Sequence, residues 1–166
     1  MSLNPIPQVV LAIDPGYDRL GWAVGQKKDN KIKVQAYGLI QTDKKMILLE
    51  RYRFLINQLE NIIGQYQPSE LAIETVFFST NKKTALQVSE TRGVIIATAL
   101  RKGMRVFEYM PNQVKLTVTG YGKADKKAVE KMVRLELAIK EKMIDDTLDA
   151  LAILITHQAS AKLAGI

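Results

Sequence analysis

The chain has no cysteine, so no disulfide can staple it and no thiolate can hold zinc, a usage that suits the cytosol. Long apolar runs are also missing: none approaches the ~18 consecutive residues of a membrane span. Met1 to Gln8 lacks the basic region and apolar core of a secretory signal. Internal repeats, low-complexity segments and linkers are not evident, and the lone histidine, His157, reads as structural. Acid is in short supply, with 17 Asp+Glu against 24 Lys+Arg, a net charge of +7 and a pI near 9.5. That balance favours a polyanionic partner, nucleic acid ahead of an anionic membrane surface or simple solubility. The remainder is ordinary: 47% apolar and 25% charged over 166 residues, enough for one domain with a sizeable core and little room for disorder. Residues 1–166 are expected to form that domain, with residues 1–8 as a flexible N-terminal extension.

The few acids fall at telling places. Asp14 closes the apolar run Val9 to Ile13, and Glu74 closes Leu71-Ala72-Ile73. A carboxylate ending a buried strand is held rigidly at a sheet edge. Asp146 and Asp149 head the apolar stretch Leu148 to Ile155, and an i, i+3 pair shares one helix face. Such a cluster repels itself unless cations fill it, and oxygen-rich clusters suit Mg²⁺ or Mn²⁺. Taken singly, each acid could also be a helix cap or a solvated surface group, Asp146 above all. Asp145 is a neighbouring candidate, but a helix turns about 100° per residue, which should aim it away from the face of Asp146 and Asp149.

Element order follows from periodicity and turn residues. Val9–Ile13, 20–25 and 32–40 read as strands, with a polar hairpin tip at 27–31. Helical spacing runs from about Lys44 to Tyr66 through Ile47, Leu48, Tyr52, Leu55, Leu59, Ile62 and Ile63. A strand at 70–74, a helix from about Lys83 to Arg101 and a strand at 105–109 follow. The end of the chain reads as a short helix after Pro111, another over 126–140 and a last one over 146–163. Three strands and then alternating helix and strand predict an α/β domain, a mixed five-stranded sheet flanked by helices. The run from Gly93 to Leu100 is apolar nearly all round, which predicts a thoroughly buried helix that also serves a subunit contact.

With AIDPGYDRLGWAVG (12–25), LAIETVFF (71–78), ETRGVIIATAL (90–100), the GYGKADK loop within 107–133, and DDTLDALAILITH (145–157) in this order, the chain resembles the bacterial RuvC family of Holliday-junction resolvases. The resemblance runs from about Val9 to His157. It implies a ribonuclease H-like fold and catalytic, metal-binding carboxylates at Asp14, Glu74, Asp146 and Asp149. Some relatives carry histidine where Asp146 stands. It implies catalytic lysines at Lys115 and Lys126 and a DNA-stacking aromatic at Phe77. Lys82, Lys83, Lys123 and Lys127 are candidate backbone contacts, as are Arg92, Lys131 and Arg134. Tyr121 is a second aromatic candidate, and the Asp18-Arg19 pair is assigned no role.

The implied activity is structure-selective cleavage of four-way DNA junctions in recombination and repair. A homodimer would place paired symmetric nicks by Mg²⁺-dependent hydrolysis, with two ions per site and Mn²⁺ as substitute, leaving 5′-phosphate and 3′-hydroxyl ends. A cytoplasmic location and a branch-migration complex as partner come with it, although no docking motif is legible. Three other readings remain: a ribonuclease H-like enzyme acting on RNA or hybrid duplex, a non-catalytic junction binder, and an actin-like phosphotransferase. The last needs a second phosphate-binding turn and usually a longer chain. A pure binder would gain affinity by shedding the acids.

Overall fold

The computed structural model describes residues 8–76 and 82–160, the side chains of Lys82 and Lys83 excepted. Ten elements follow one another: β1 (Val10–Asp14), β2 (Arg19–Lys28), β3 (Lys31–Gln41), α1 (Leu48–Tyr66), β4 (Glu70–Glu74), α2 (Lys82–Arg101), β5 (Arg105–Tyr109), α3 (Pro111–Thr119), α4 (Lys126–Leu137) and α5 (Asp145–Ser160). The sheet runs β3-β2-β1-β4-β5. β2 is antiparallel to β1 and β3, whereas β1, β4 and β5 are parallel. This is the expected ribonuclease H-like arrangement of a mixed sheet between helices.

β1 is apolar from Val10 to Ile13 because helices cover both faces of the sheet, as buried parallel strands require. Its alternating side chains feed two cores. Val10 and Ala12 join Ala72, Leu151 and Leu154 on the α5 side. Leu11 and Ile13 join Leu55, Leu59 and Ile95 on the side of α1 and α2. α5 is buried almost all round, from Thr147 to Gln158, since it lies under α3 and α4 as well as on the sheet.

Several boundaries differ from expectation. α1 begins at Leu48 rather than Lys44; Asp43 to Lys45 form a turn in which Asp43 Oδ1 accepts from Lys45 N. Ile47 is consequently an extended N-cap residue and 64% exposed, not part of the buried stripe. α4 stops at Leu137, where Ala138 turns left-handed at φ 53°. The run 93–100 is not buried all round. Thr91, Ile95, Thr98 and Ala99 face the core, while Leu86, Gly93, Ala97 and Leu100 form an exposed face, because α2 meets the sheet on one side only. Gln8, expected in the flexible extension, is tied down by hydrogen bonds from Ser69 Oγ and Arg105 Nη2 to its Oε1. No helix among the described residues is long and apolar enough to cross a membrane.

Candidate active site

Asp14 is the last residue of β1, and strand alternation turns it to the α5 side of the sheet, as it does Ala12. Glu74 ends the parallel neighbour β4, one step past the pair Ile13–Ile73. Two residues on β4 then face two on α5 in matching order. From Glu70 to Glu74 is about 13 Å along a strand, and from Asp149 to His157 about 12 Å along a helix. His157 accordingly meets Glu70 (Nε2 to Oε2, 2.7 Å), and Asp149 raises the pKa of Glu74 across the cleft.

Asp14, Glu74, Lys115, Lys126 and Asp149 line one cleft of ≈ 250 Å³, with Val114, Val129 and Ala152 as its apolar wall. Burial is the main reason that Asp14 is pushed up to about 8, with Asp149, Glu74 and Asp146 adding to it and Lys126 opposing. Glu74 is pushed up to about 7, by burial first and then by Asp149, against Lys115. Burial also raises Asp149, opposed by its contact with Lys126. Lys126 loses solvation, yet its ammonium is held protonated by Asp149 and Asp145.

The loop before α4 places that ammonium. Gly120 takes φ 78° as the left-handed cap of α3, a conformation glycine adopts without strain. Asp125 then caps α4, accepting from Ala128 N at 2.8 Å. Lys126 is thereby the first residue of α4, with Nζ 3.2 Å from Asp149 Oδ2 and 3.3 Å from Asp145 Oδ2. Asp145 therefore shares a lysine with Asp149, contrary to the expectation that it points away. It opens α5, one turn before Asp149, and i, i+4 residues share a face. Lys123 on this loop and Lys127 in the first turn of α4 are exposed and outside the cleft.

Asp146 stands apart from the cleft lining. Its Oδ2 is buried without a hydrogen-bond donor, and Arg19 Nη2 lies 3.0 Å away as a charge partner. Close backbone approach fixes its position: a Cβ at Gly21, the partner of Asp14 in the sheet, would collide with the Asp146 carbonyl. The turn between Asp14 and Arg19 is clamped from behind by buried Arg51, which donates to Tyr17 O, Asp18 Oδ1 and Thr42 Oγ1. Arg92 donates from Nε to Glu74 O and pairs with Glu108. It thereby holds the Glu74 backbone, and Arg134 is engaged by Glu130 and by Glu141 O.

Arg51 is a neighbour of the site that sequence reasoning missed altogether, and the partners of Arg19, Arg92 and Asp145 were not foreseen. Nothing in their local patterns names a partner so far along the chain, except that the spacing of Asp145 and Asp149 suits one shared lysine. Phe77 lies outside the described residues, as do the side chains of Lys82 and Lys83. His157 is structural: buried, it joins Glu70 to the Tyr109 hydroxyl, 2.7 Å from Nδ1.

Carboxylates alone, crowded and desolvated, are donors for hard divalent cations, and the orphaned Asp146 oxygen is a further free acceptor. No three His, Asp or Glu among the described residues are already gathered to grip an ion. Burial first, and then Asp149 and Glu74, nevertheless raise Asp14, and Asp149 adds to the burial of Glu74, a repulsion that a cation would relieve. In kind the set fits a hard divalent cation.

Comparison with known proteins agrees with this arrangement. The family model described as crossover junction endodeoxyribonuclease RuvC matches residues 10–157. A RuvC of Halothermothrix orenii is 40% identical over 156 residues, 93% of this chain and 94% of its own. One of Alkaliphilus oremlandii is 43% identical over 150 residues, 90% and 92% of the two chains. The T. thermophilus RuvC solved in complex with Holliday junction substrate superposes with a TM-score of 0.88 at 31% identity, covering 95% of this chain and 96% of that one. With the sheet order, the acidic cleft and this extent of likeness together, the chain belongs to the RuvC family of crossover junction endodeoxyribonucleases.

Proposed function

We propose that the protein resolves four-way DNA junctions by hydrolysing one phosphodiester in each of two strands of like polarity. The observation that carries this is the cleft itself, which gathers the carboxylates of Asp14, Glu74 and Asp149 with the ammonium groups of Lys115 and Lys126, in a RuvC chain. Asp14, Glu74, Asp149 and Asp146 would hold Mg²⁺, two ions per site, with Mn²⁺ as substitute. When bound, such ions activate water and neutralise charge at the phosphorus. Lys115 and Lys126 would meet the phosphate, where fixed cations stabilise the charge that develops as water attacks. Breaking the P–O3′ bond leaves a 5′-phosphate and a 3′-hydroxyl, ends that a ligase can rejoin in recombination and repair. Water would be the nucleophile, with no covalent enzyme intermediate.

Selectivity would come from junction shape, because carboxylates read no base edges. Lys123 and Lys127, exposed beside the cleft, would contact the backbone; Phe77, Lys82 and Lys83 are proposed for the same surface by resemblance. The exposed α2 face of Leu86, Gly93, Ala97 and Leu100 supports a two-fold dimer, which matches the substrate's own symmetry. A branch-migration complex acting on the same junction is the further partner, in the cytoplasm. Asp14→Asn tests the site. It should keep junction binding while lowering the cleavage rate by at least about a hundredfold; retained cleavage would remove Asp14 from the chemistry.

A further inference from the structure

Arg19 stands where the turn after Asp14 becomes β2, and half of its side chain is exposed. Its guanidinium reaches Asp146 Oδ2 at 3.0 Å, yet that oxygen accepts no hydrogen bond. The approach is that of a counter-charge, held less firmly than Lys126, which hydrogen-bonds Asp149. Backbone packing enforces the meeting. A Cβ at Gly16 would strike the Arg19 carbonyl, so that glycine lets the turn close on itself, and one at Gly21 would strike the Asp146 carbonyl, so that glycine lets β2 meet the start of α5.

We infer that Arg19 is a placeholder cation: in the metal-free protein it compensates Asp146, and it gives up that oxygen when a divalent ion enters the carboxylate cluster. This rests on the reading of the cluster as a cation site. An arginine suits the part because its weakly hydrated guanidinium can leave the carboxylate when a competing cation takes that oxygen. Its exposed half gives the side chain somewhere to go without opening the core. Arg19 is thus a positioning residue, acting on the ion through Asp146.

The test is Mn²⁺ binding to the metal-free protein, followed by the paramagnetic resonance of the free aquo ion. Wild type, Arg19→Gln, Asp146→Asn and the double variant form a thermodynamic cycle. Arg19→Gln should tighten Mn²⁺ roughly threefold or more when Asp146 is intact, and should change nothing in the Asp146→Asn background. Equal tightening in both backgrounds would mean a general loss of positive field and would overturn the inference. So would an unchanged or weakened constant. Arg19→Lys, which keeps the charge, should tighten Mn²⁺ less than Arg19→Gln, and it carries the comparison if Arg19→Gln fails to melt cooperatively in EDTA; tightening equal to that of Arg19→Gln would count against the placeholder. Absence of saturable Mn²⁺ binding by the wild type would overturn the cation-site reading as well. Saturable binding that ignores Arg19 overturns the placeholder alone.

Discussion

Burial and neighbouring acids hold Asp14 up to about 8 and Glu74 up to about 7, well above the ordinary carboxylate range. A carboxyl whose folded pKa is raised binds more protons folded than unfolded between its unfolded and folded values. Its effect on stability is absent below the unfolded value and grows unfavourable as pH rises towards the folded one. Metal-free protein should therefore lose stability steadily from about pH 4 to about pH 8, and Mg²⁺ should restore it most at the upper end. Urea unfolding in EDTA and in Mg²⁺ at pH 5 and pH 8 measures this, with Asp14→Asn flattening the profile. A stability independent of pH in EDTA would contradict the account. These acids were legible in the sequence because each one ends an apolar run. Arg19, Arg51 and Arg92 were not, since a basic residue's partner depends on which loop the fold brings to it.

Among the elements, α5 does the most to assemble the site. It brings Asp149 to Glu74 and, two turns on, His157 to Glu70 and Tyr109. Its first turn rests on β2 at Gly21, which has no room for a side chain. Gly21→Ala should cost about 1–3 kcal/mol by overpacking and should slow cleavage by displacing Asp146. Gly64→Ala, on α1 with nothing near its added methyl, should instead stabilise by roughly 0.5–1 kcal/mol. Thermal unfolding of both variants decides it, and two losses of equal size would argue against a specific close contact at Gly21. The order of strands and helices was readable from periodicity, as was the buried character of β1 and α5. Element ends were less so. The helical spacing of Ile47 and Leu48 continued into a turn that Asp43 closes, and the apolar run of α2 concealed an exposed face that only the packing reveals.

For the whole molecule, a net charge of +7 and one acidic cleft divide the labour between holding a polyanion and cutting it. Affinity for DNA would come from counterion release and fall with salt, while cutting would depend on the few acids that oppose that charge. In the proposed dimer, the cleft of the second copy would act on the other strand of like polarity. Ribonuclease H-like folds host several nucleases, so hybrid duplex is the substrate to compare with the junction. The most direct test is cleavage of an end-labelled synthetic four-way junction, beside linear DNA duplex and RNA–DNA hybrid, in Mg²⁺ and in EDTA. Paired symmetric nicks confined to the junction, and only with Mg²⁺, are the result expected of a dimeric resolvase with a carboxylate metal site. Cleavage in EDTA, preferential cutting of hybrid, or binding to the junction without nicks under any divalent metal would contradict it.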